Sequence, residues 1–267
     1  VCIEARHAKA VMTAMHRNKN DRNDARALVH LIRSGWFKTV QVKSRVSQEL
    51  RPLLVAREFL VNKLRGHENE IRGLLRPFGL KVGRVSASGF EARVRDLVEG
   101  SPRLELCMDA LLKRRSAMMT QLAAMHRELL RVTAGDELCR RFMTIPGVGP
   151  VTALAFKTTI DDPTRFRRSS DVGAHLGLTP RQFQSGETDN RGRISRSGDA
   201  FAQTALFTAA HVMMTRSCQW TSVKAWSVHI AQRSSLKKAK IAVARKLAVI
   251  MHRMWRDATP FRWGAAA

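Results

Sequence analysis

The feature that most constrains the fold is a long amphipathic helical pattern, written twice. From Gln48 to Phe78, Leu50, Leu53, Leu54, Leu60, Val61, Leu64, Ile71, Leu74 and Leu75 recur at threes and fours with charge between them, the period of one helix face. A second stretch, from about Leu104 to Val132, carries Leu111, Met118, Leu122, Met125, Leu129 and Val132 at heptad spacing, with Arg115 breaking the seam. A linker, "KVGRVSASGF" (81–90), joins them. An antiparallel helical hairpin, a dimerising coiled coil and ordinary helices of a bundle all fit this pattern.

What surrounds these helices is short. "VCIEA" at the start reads as a strand, residues 7–15 as a short helix, Asp21 to Ser34 as a helix ending at Gly35, and "KTVQVK" (38–43) as one more strand. Two strands are too few for a stable sheet on their own. In "NKNDRNDARALVHLIRSGW", Asp21 and Asp24 share a helix side with Leu28, Leu31 and Ile32. Repelling carboxylates on that side either start the helix, with Asn20 or Asp21 as N-cap, or hold an oxygen-liking divalent cation. Arg22 and Arg26 are close enough in sequence to pair with them in either case.

Further on, "CRRFMTIPGVGPVTALAF" (139–156) places Gly147 and Gly149 between two apolar helical segments. This is the pattern of a helix-hairpin-helix, whose turn amides can approach a phosphate; a plain turn has the same spelling. Residues 179–198, "TPRQFQSGETDNRGRISRSG", read as an irregular loop or hairpin, with Arg181, Arg191 and Arg193 as candidate nucleic-acid contacts. Residues 201–267 hold eleven Lys/Arg against the single acid Asp257. Their last helix offers Lys237, Lys238, Lys240, Arg245 and Lys246 as phosphate contacts.

Charge names the partner class. Against 22 Asp+Glu stand 47 Lys+Arg, a net of +25 in 267 residues, a surplus that a polyanion such as DNA or RNA offsets. A membrane partner is not expected, since no apolar run approaches the roughly 18 residues of a span. The four cysteines form no CxxC pair, and the expectation is a cytoplasmic, nucleoid-associated protein with reduced thiols and no zinc. No tyrosine is present, which excludes phosphotyrosine chemistry for this chain, and no GxxxxGK[ST] loop suggests an ATP motor.

The order "NKNDRNDARAL", helical hairpin, "IPGVGPVTALAF", "RFRRSSDVGAHLGLTPRQFQSGE", "GRISRSGD" closely resembles the DEDD/serine insertion-sequence transposases, the insertion-sequence one-ten family guided by a bridge RNA. The resemblance implies a mostly α fold: the C-terminal part of an RNase H-like (Holliday-resolvase-like) α/β domain over 1–46, a helical hairpin or coiled coil over 47–135, and an α-helical transposase domain with a helix-hairpin-helix and nucleophile loop over 136–267. It implies Mg²⁺ at Asp21 and Asp24, which match the family's third and fourth acids. Ser185 in "FQSGE" matches the nucleophilic serine. It also implies DNA and a guide RNA as partners and a homodimer or tetramer. A phosphoserine link would conserve phosphodiester energy, so strands could be exchanged without ATP.

The family's first two acids precede the strand matched by "VCIEARHAKAV", and Glu4 belongs to a different strand. The resemblance therefore implies a chain lacking its N-terminal portion and half its metal ligands. Such a chain is expected to bind Mg²⁺ poorly and not to cut DNA alone. The competing expectation is a catalytically incomplete remnant that acts only as a basic DNA/RNA-binding protein.

Overall fold

The computed structural model describes residues 2–15, 18, 20–37 and 39–262. The chain is mostly helical and divides after Arg45 into two compact units.

In the first unit, α1 (Ala5–Met15) and α2 (Asp21–Ser34) pack together. Asn20 caps α2 by accepting from the Asn23 amide at 2.8 Å, and Gly35 ends it in the left-handed conformation at φ 65°, as helix-terminus chemistry requires. Only Ala27 and Leu31 of α2 are buried. The two expected strands shrink to one isolated bridge, Ile3 with Thr39; Val1 and Lys38 lie outside the described residues. No third strand pairs with these segments among the described residues, and the helix-forming run "ARHAKAVMTAM" takes over from Ala5.

In the second unit, α3 (Arg45–Leu75) and α5 (Pro102–Gly135) run antiparallel. Glu68 meets Arg115 at 2.7 Å and His67 Nε2 donates to the Leu111 carbonyl at 2.8 Å, while Ile71 and Leu75 share a buried cluster with Met108 and Leu112. Arg115, the residue that breaks the apolar seam, is 3% exposed. Its guanidinium donates to Glu68 and to the Ala87 carbonyl and lies 4.7 Å from the Phe90 ring centroid. The seam break is therefore a partly buried ion pair that ties α3 and α5 to α4 (Phe90–Val98), a short helix where the sequence reading has only the end of a linker.

The larger core gathers α6 (Glu137–Phe142), α7 (Pro150–Ile160), α9 (Ala200–Thr215), α10 (Ser222–Arg233) and α11 (Leu236–Arg256). Alanines at 153, 155, 202, 205, 209, 210, 244 and 248 are buried where helices meet, so backbones approach closely. The turn between α6 and α7 takes part in this packing. Gly147 has φ 86°, and a Cβ there would stand 2.5 Å from the Ala209 carbonyl oxygen of α9. A five-residue helix, α8 (Asp171–His175), leads into the one hairpin among the described residues, β1 (Pro180–Ser185) and β2 (Thr188–Ile194).

Candidate nucleophile hairpin and nucleic-acid interface

The hairpin is fixed at its base by two glycines that let two backbone segments touch. A Cβ on Gly198 would lie 2.5 Å from the His175 carbonyl oxygen, and one on Gly177 would lie 2.7 Å from the Ser197 amide nitrogen. The Ser195 amide donates to the Thr179 carbonyl at 2.8 Å and the Arg196 amide to that of Gly177 at 3.1 Å. The motifs "HLGL" and "RSGD" are thus one clamp. Behind it, Asp199 caps α9 through the Ala202 amide at 3.0 Å, and pairs with Arg51 of α3 at 2.7 Å. Thr159 of α7 also donates to it, at 3.3 Å.

Above the clamp the strands pair in register from Gln182–Arg191 to Ser185–Thr188, with an irregularity beside Pro180. Gly192 lies under Phe183, where a Cβ would meet the ring at 2.9 Å. Gly186, at φ 58°, begins the two-residue turn, a position where glycine is strain-free. Ser185 is the last residue before that turn and is exposed. By strand alternation it shares a face with Phe183 and Arg181; Gln182, Gln184 and Asp189 bond to one another on the other face. The Ser185 hydroxyl has no hydrogen bond among the described residues. Arg181 donates to the Ser195 carbonyl at 3.2 Å, and Arg193 is exposed. The side chain of Arg191 lies outside those described.

Asp21 and Asp24 sit in the first turn of α2, where the helix dipole favours anions. The cap itself is Asn20, so neither carboxylate serves as N-cap. Neither has a side-chain partner among the described residues, and the pairs with Arg22 and Arg26 are not formed there. No group of three potential metal ligands occurs among the described residues. Two carboxylates three apart do suit Mg²⁺, which typically takes only one or two and keeps several waters.

On α11, Lys238 and Arg245 lie two turns apart on the exposed face, as do Lys246 and Arg253. Lys237 is exposed near the helix start, whereas Lys240 falls on the half-buried side near Ala239, Val243 and Ala244. Of the turn glycines, Gly147 faces inward onto α9, while Gly149 borders open space at the α7 N-cap. Sequence reading missed the arginines at 165, 167 and 168, all exposed. They flank α11 because His252 pins their segment: its Nε2 donates to the Pro163 carbonyl and its Nδ1 accepts from the Ser169 hydroxyl, both at 2.9 Å. Burial holds the His252 pKa below the ordinary imidazole value, which keeps the ring neutral, as these two bonds need. The charge run "RFRR" was the available signal. Its position on α11 depends on a contact 83 residues away in sequence.

The chain is basic and mostly helical, and it presents an exposed serine on a clamped, arginine-bearing hairpin. Residues 139–225 match the family model "Transposase IS116/IS110/IS902 family", and residues 1–79 match a DEDD transposase model of the IS110 type. The transposase for insertion sequence element IS1111A of Coxiella burnetii is 30% identical over 268 residues, covering 98% of this chain and 73% of the relative. That for IS1328 of Yersinia enterocolitica is 29% identical over 235 residues, 87% of this chain and 70% of the relative. The pilin gene-inverting protein of Moraxella bovis is 29% identical over 120 residues, 44% of this chain and 37% of the relative. The chain belongs to the IS110/IS116/IS902 transposase family. No helix among the described residues is long and apolar enough to cross a membrane.

Proposed function

We propose that this chain is a DNA recombinase of an insertion sequence in which Ser185 attacks a DNA phosphodiester under the guidance of a structured RNA. The observation that carries this reading is the position of Ser185: exposed, at the tip of a hairpin whose base is held by the Gly177–Gly198 clamp, inside the segment matched to the transposase family. In the attack, Oγ forms a bond to phosphorus and the bond from phosphorus to one deoxyribose oxygen breaks. The serine proton leaves, and the displaced oxygen departs as a hydroxyl. The phosphate remains a diester throughout, so the reverse attack by another strand's hydroxyl rejoins DNA without ATP. A relative named for inverting a pilin gene supports a strand-exchange outcome.

An unassisted serine hydroxyl is a weak nucleophile, and Ser185 has no hydrogen-bonded base among the described residues. Asp21 and Asp24 would hold Mg²⁺, which when bound lowers the pKa of a coordinated oxygen and stabilises charge on phosphate. Exposed Arg193, Lys238, Arg245 and Lys246 would hold DNA or RNA phosphates, with Gly149 at the α7 N-terminus offering amides to a backbone of the helix-hairpin-helix kind. The first unit would contribute its acids as part of an RNase H-like domain, and the α3–α5 hairpin would serve a dimer or tetramer.

The test incubates the protein and a Ser185→Ala variant with Mg²⁺, donor DNA and its flanking non-coding RNA, followed by a denaturing gel. A protein–DNA adduct that requires Ser185, Mg²⁺ and RNA would support the assignment and overturn the expectation that this chain does not cut DNA alone. An adduct that survives Ser185→Ala would refute the assignment. No adduct, with salt-sensitive nucleic-acid binding retained, would leave the chain a binding protein only.

A further inference from the structure

Where α10, α11 and the segment after α11 meet, the basic face of α11 borders a pocket and exposed tryptophans. The chain reverses at Ala258, which takes φ 52°, a conformation that residues with a Cβ rarely adopt. Phe261 then packs back into the core, its amide donating to the Thr144 hydroxyl at 3.4 Å. The reversal forms one side of a half-open pocket whose lining includes Ile250, Met254 and Phe261. Around its rim stand Lys246, Arg253 and Arg262 against a single carboxylate, Asp257.

Beside this rim Trp226, 41% exposed, carries the Lys246 ammonium 5.9 Å from its ring centroid. Ahead of α10, Trp220 is 57% exposed and carries Lys224 at 5.4 Å. A half-open pocket with apolar residues at its base and three cations against one carboxylate suits a flat base attached to a phosphate. Exposed aromatic faces alternating with cations are the arrangement on which unpaired bases stack while the cations follow the phosphates. A paired duplex keeps its base faces stacked inside and can use only the cations.

We propose that this pocket receives one unpaired base of a single-stranded nucleic-acid segment, with the adjacent base stacked on Trp226 and the intervening phosphates on Lys246 and Arg253. The inference rests on the nucleic-acid reading above and adds a site for unpaired bases separate from Ser185. A single strand of RNA or of displaced DNA supplies the same chemistry.

The experiment uses the full chain with labelled twelve-nucleotide RNA, DNA of the same sequence and a blunt DNA duplex, titrated by fluorescence anisotropy at several salt concentrations. Trp226→Ala is expected to weaken single-strand binding roughly ten-fold, the scale of one lost base–aromatic stack, and to leave duplex binding unchanged. Trp226→Phe should restore most of that loss, because Phe keeps a stacking face. Arg253→Gln should lower the single-strand salt slope by about 0.7, one phosphate contact's worth. Loss confined to RNA would identify ribose strands as the ligand; equal loss for RNA and DNA would identify any single strand.

In parallel, photocrosslinking of wild-type protein to strands carrying 4-thiouridine or 4-thiothymidine should map to peptides within residues 220–262, a readout independent of whether a variant folds. Equal loss for duplex and single strands, no loss at all, or crosslinks that avoid those peptides would overturn the pocket while leaving the recombinase reading intact. A chain that binds neither single strands nor duplex would sink both.

Discussion

Asp199 is the residue through which the hairpin's foundation can be tested most sharply, because three different partners meet on its carboxylate. It accepts the α9 capping bond from Ala202, a charged bond from Arg51 at 2.7 Å and a hydroxyl from Thr159. Both members of the ion pair are less than a third exposed, at 26% for Arg51 and 17% for Asp199. Replacing Asp199 with Ala removes the cap, worth about 1 kcal/mol, and a half-buried charged hydrogen bond, worth about 2 kcal/mol. The sum, about 3 kcal/mol, corresponds to a melting shift of roughly 6–12 °C for a unit of this size. Replacing it with Asn keeps a capping oxygen and loses only the charge, so its cost should fall near about 2 kcal/mol. The assay is a thermal melt followed by helical circular dichroism, paired with limited trypsin digestion. Trypsin should cut at Arg193 and Arg196 sooner in Asp199→Ala, since the clamp sits against the α9 cap. If Asp199→Ala melts within about 2 °C of wild type, or Asp199→Asn is as damaging as Asp199→Ala, this account of the clamp's support is wrong.

Two further outcomes follow from buried groups in the same unit. His252 has its pKa lowered chiefly by burial, so above the ordinary imidazole pKa of about 6.5 it is neutral in both folded and unfolded chains. As pH falls below that value the unfolded chain binds a proton that the folded one resists, and stability is lost; the melting temperature should drop between pH 7.5 and 5.5, less so in His252→Gln, and equal drops in both proteins would contradict this. At the seam break, Glu68→Ala leaves the Arg115 guanidinium buried without its counter-ion and should cost roughly 3–5 kcal/mol, whereas Arg115→Met leaves only a partly exposed Glu68 and should cost far less; urea unfolding of the two variants decides it, and the reverse order would refute the pairing argument.

Local chemistry was legible in the sequence and distant chemistry was not. The bounds of α2 follow from Asn20 and Gly35, two residues whose capping role depends only on their neighbours. The long helices were readable because periodicity repeated over eight or more turns overwhelms chance. Helix α4 escaped because a linker reading stopped at Phe90, although Phe90, Val94 and Val98 keep a spacing of four and are all buried. The strand at 38–43 failed for the opposite reason: "TVQV" has β propensity, but a strand exists only through a partner elsewhere. For 179–198 the sequence left loop and hairpin open, and the choice depends on the clamp between Gly177 and Gly198, residues 21 apart whose backbones touch.

The same distinction separates the candidate site's parts. Ser185 was singled out only by the family resemblance of "FQSGE", and its exposure is a property of the folded hairpin. Gly147 and Gly149 looked alike in "IPGVGP", yet one is filled space against Ala209 and the other is open. Replacing Gly147 by Ala must push apart the α6–α7 turn and α9, and its φ of 86° adds backbone strain; Gly149 to Ala meets nothing within 4 Å. A phosphate-gripping role for this turn therefore has one residue left to carry it, Gly149. A bulky residue at Gly149 should impair nucleic-acid binding without unfolding the protein, whereas any change at Gly147 acts first on the fold.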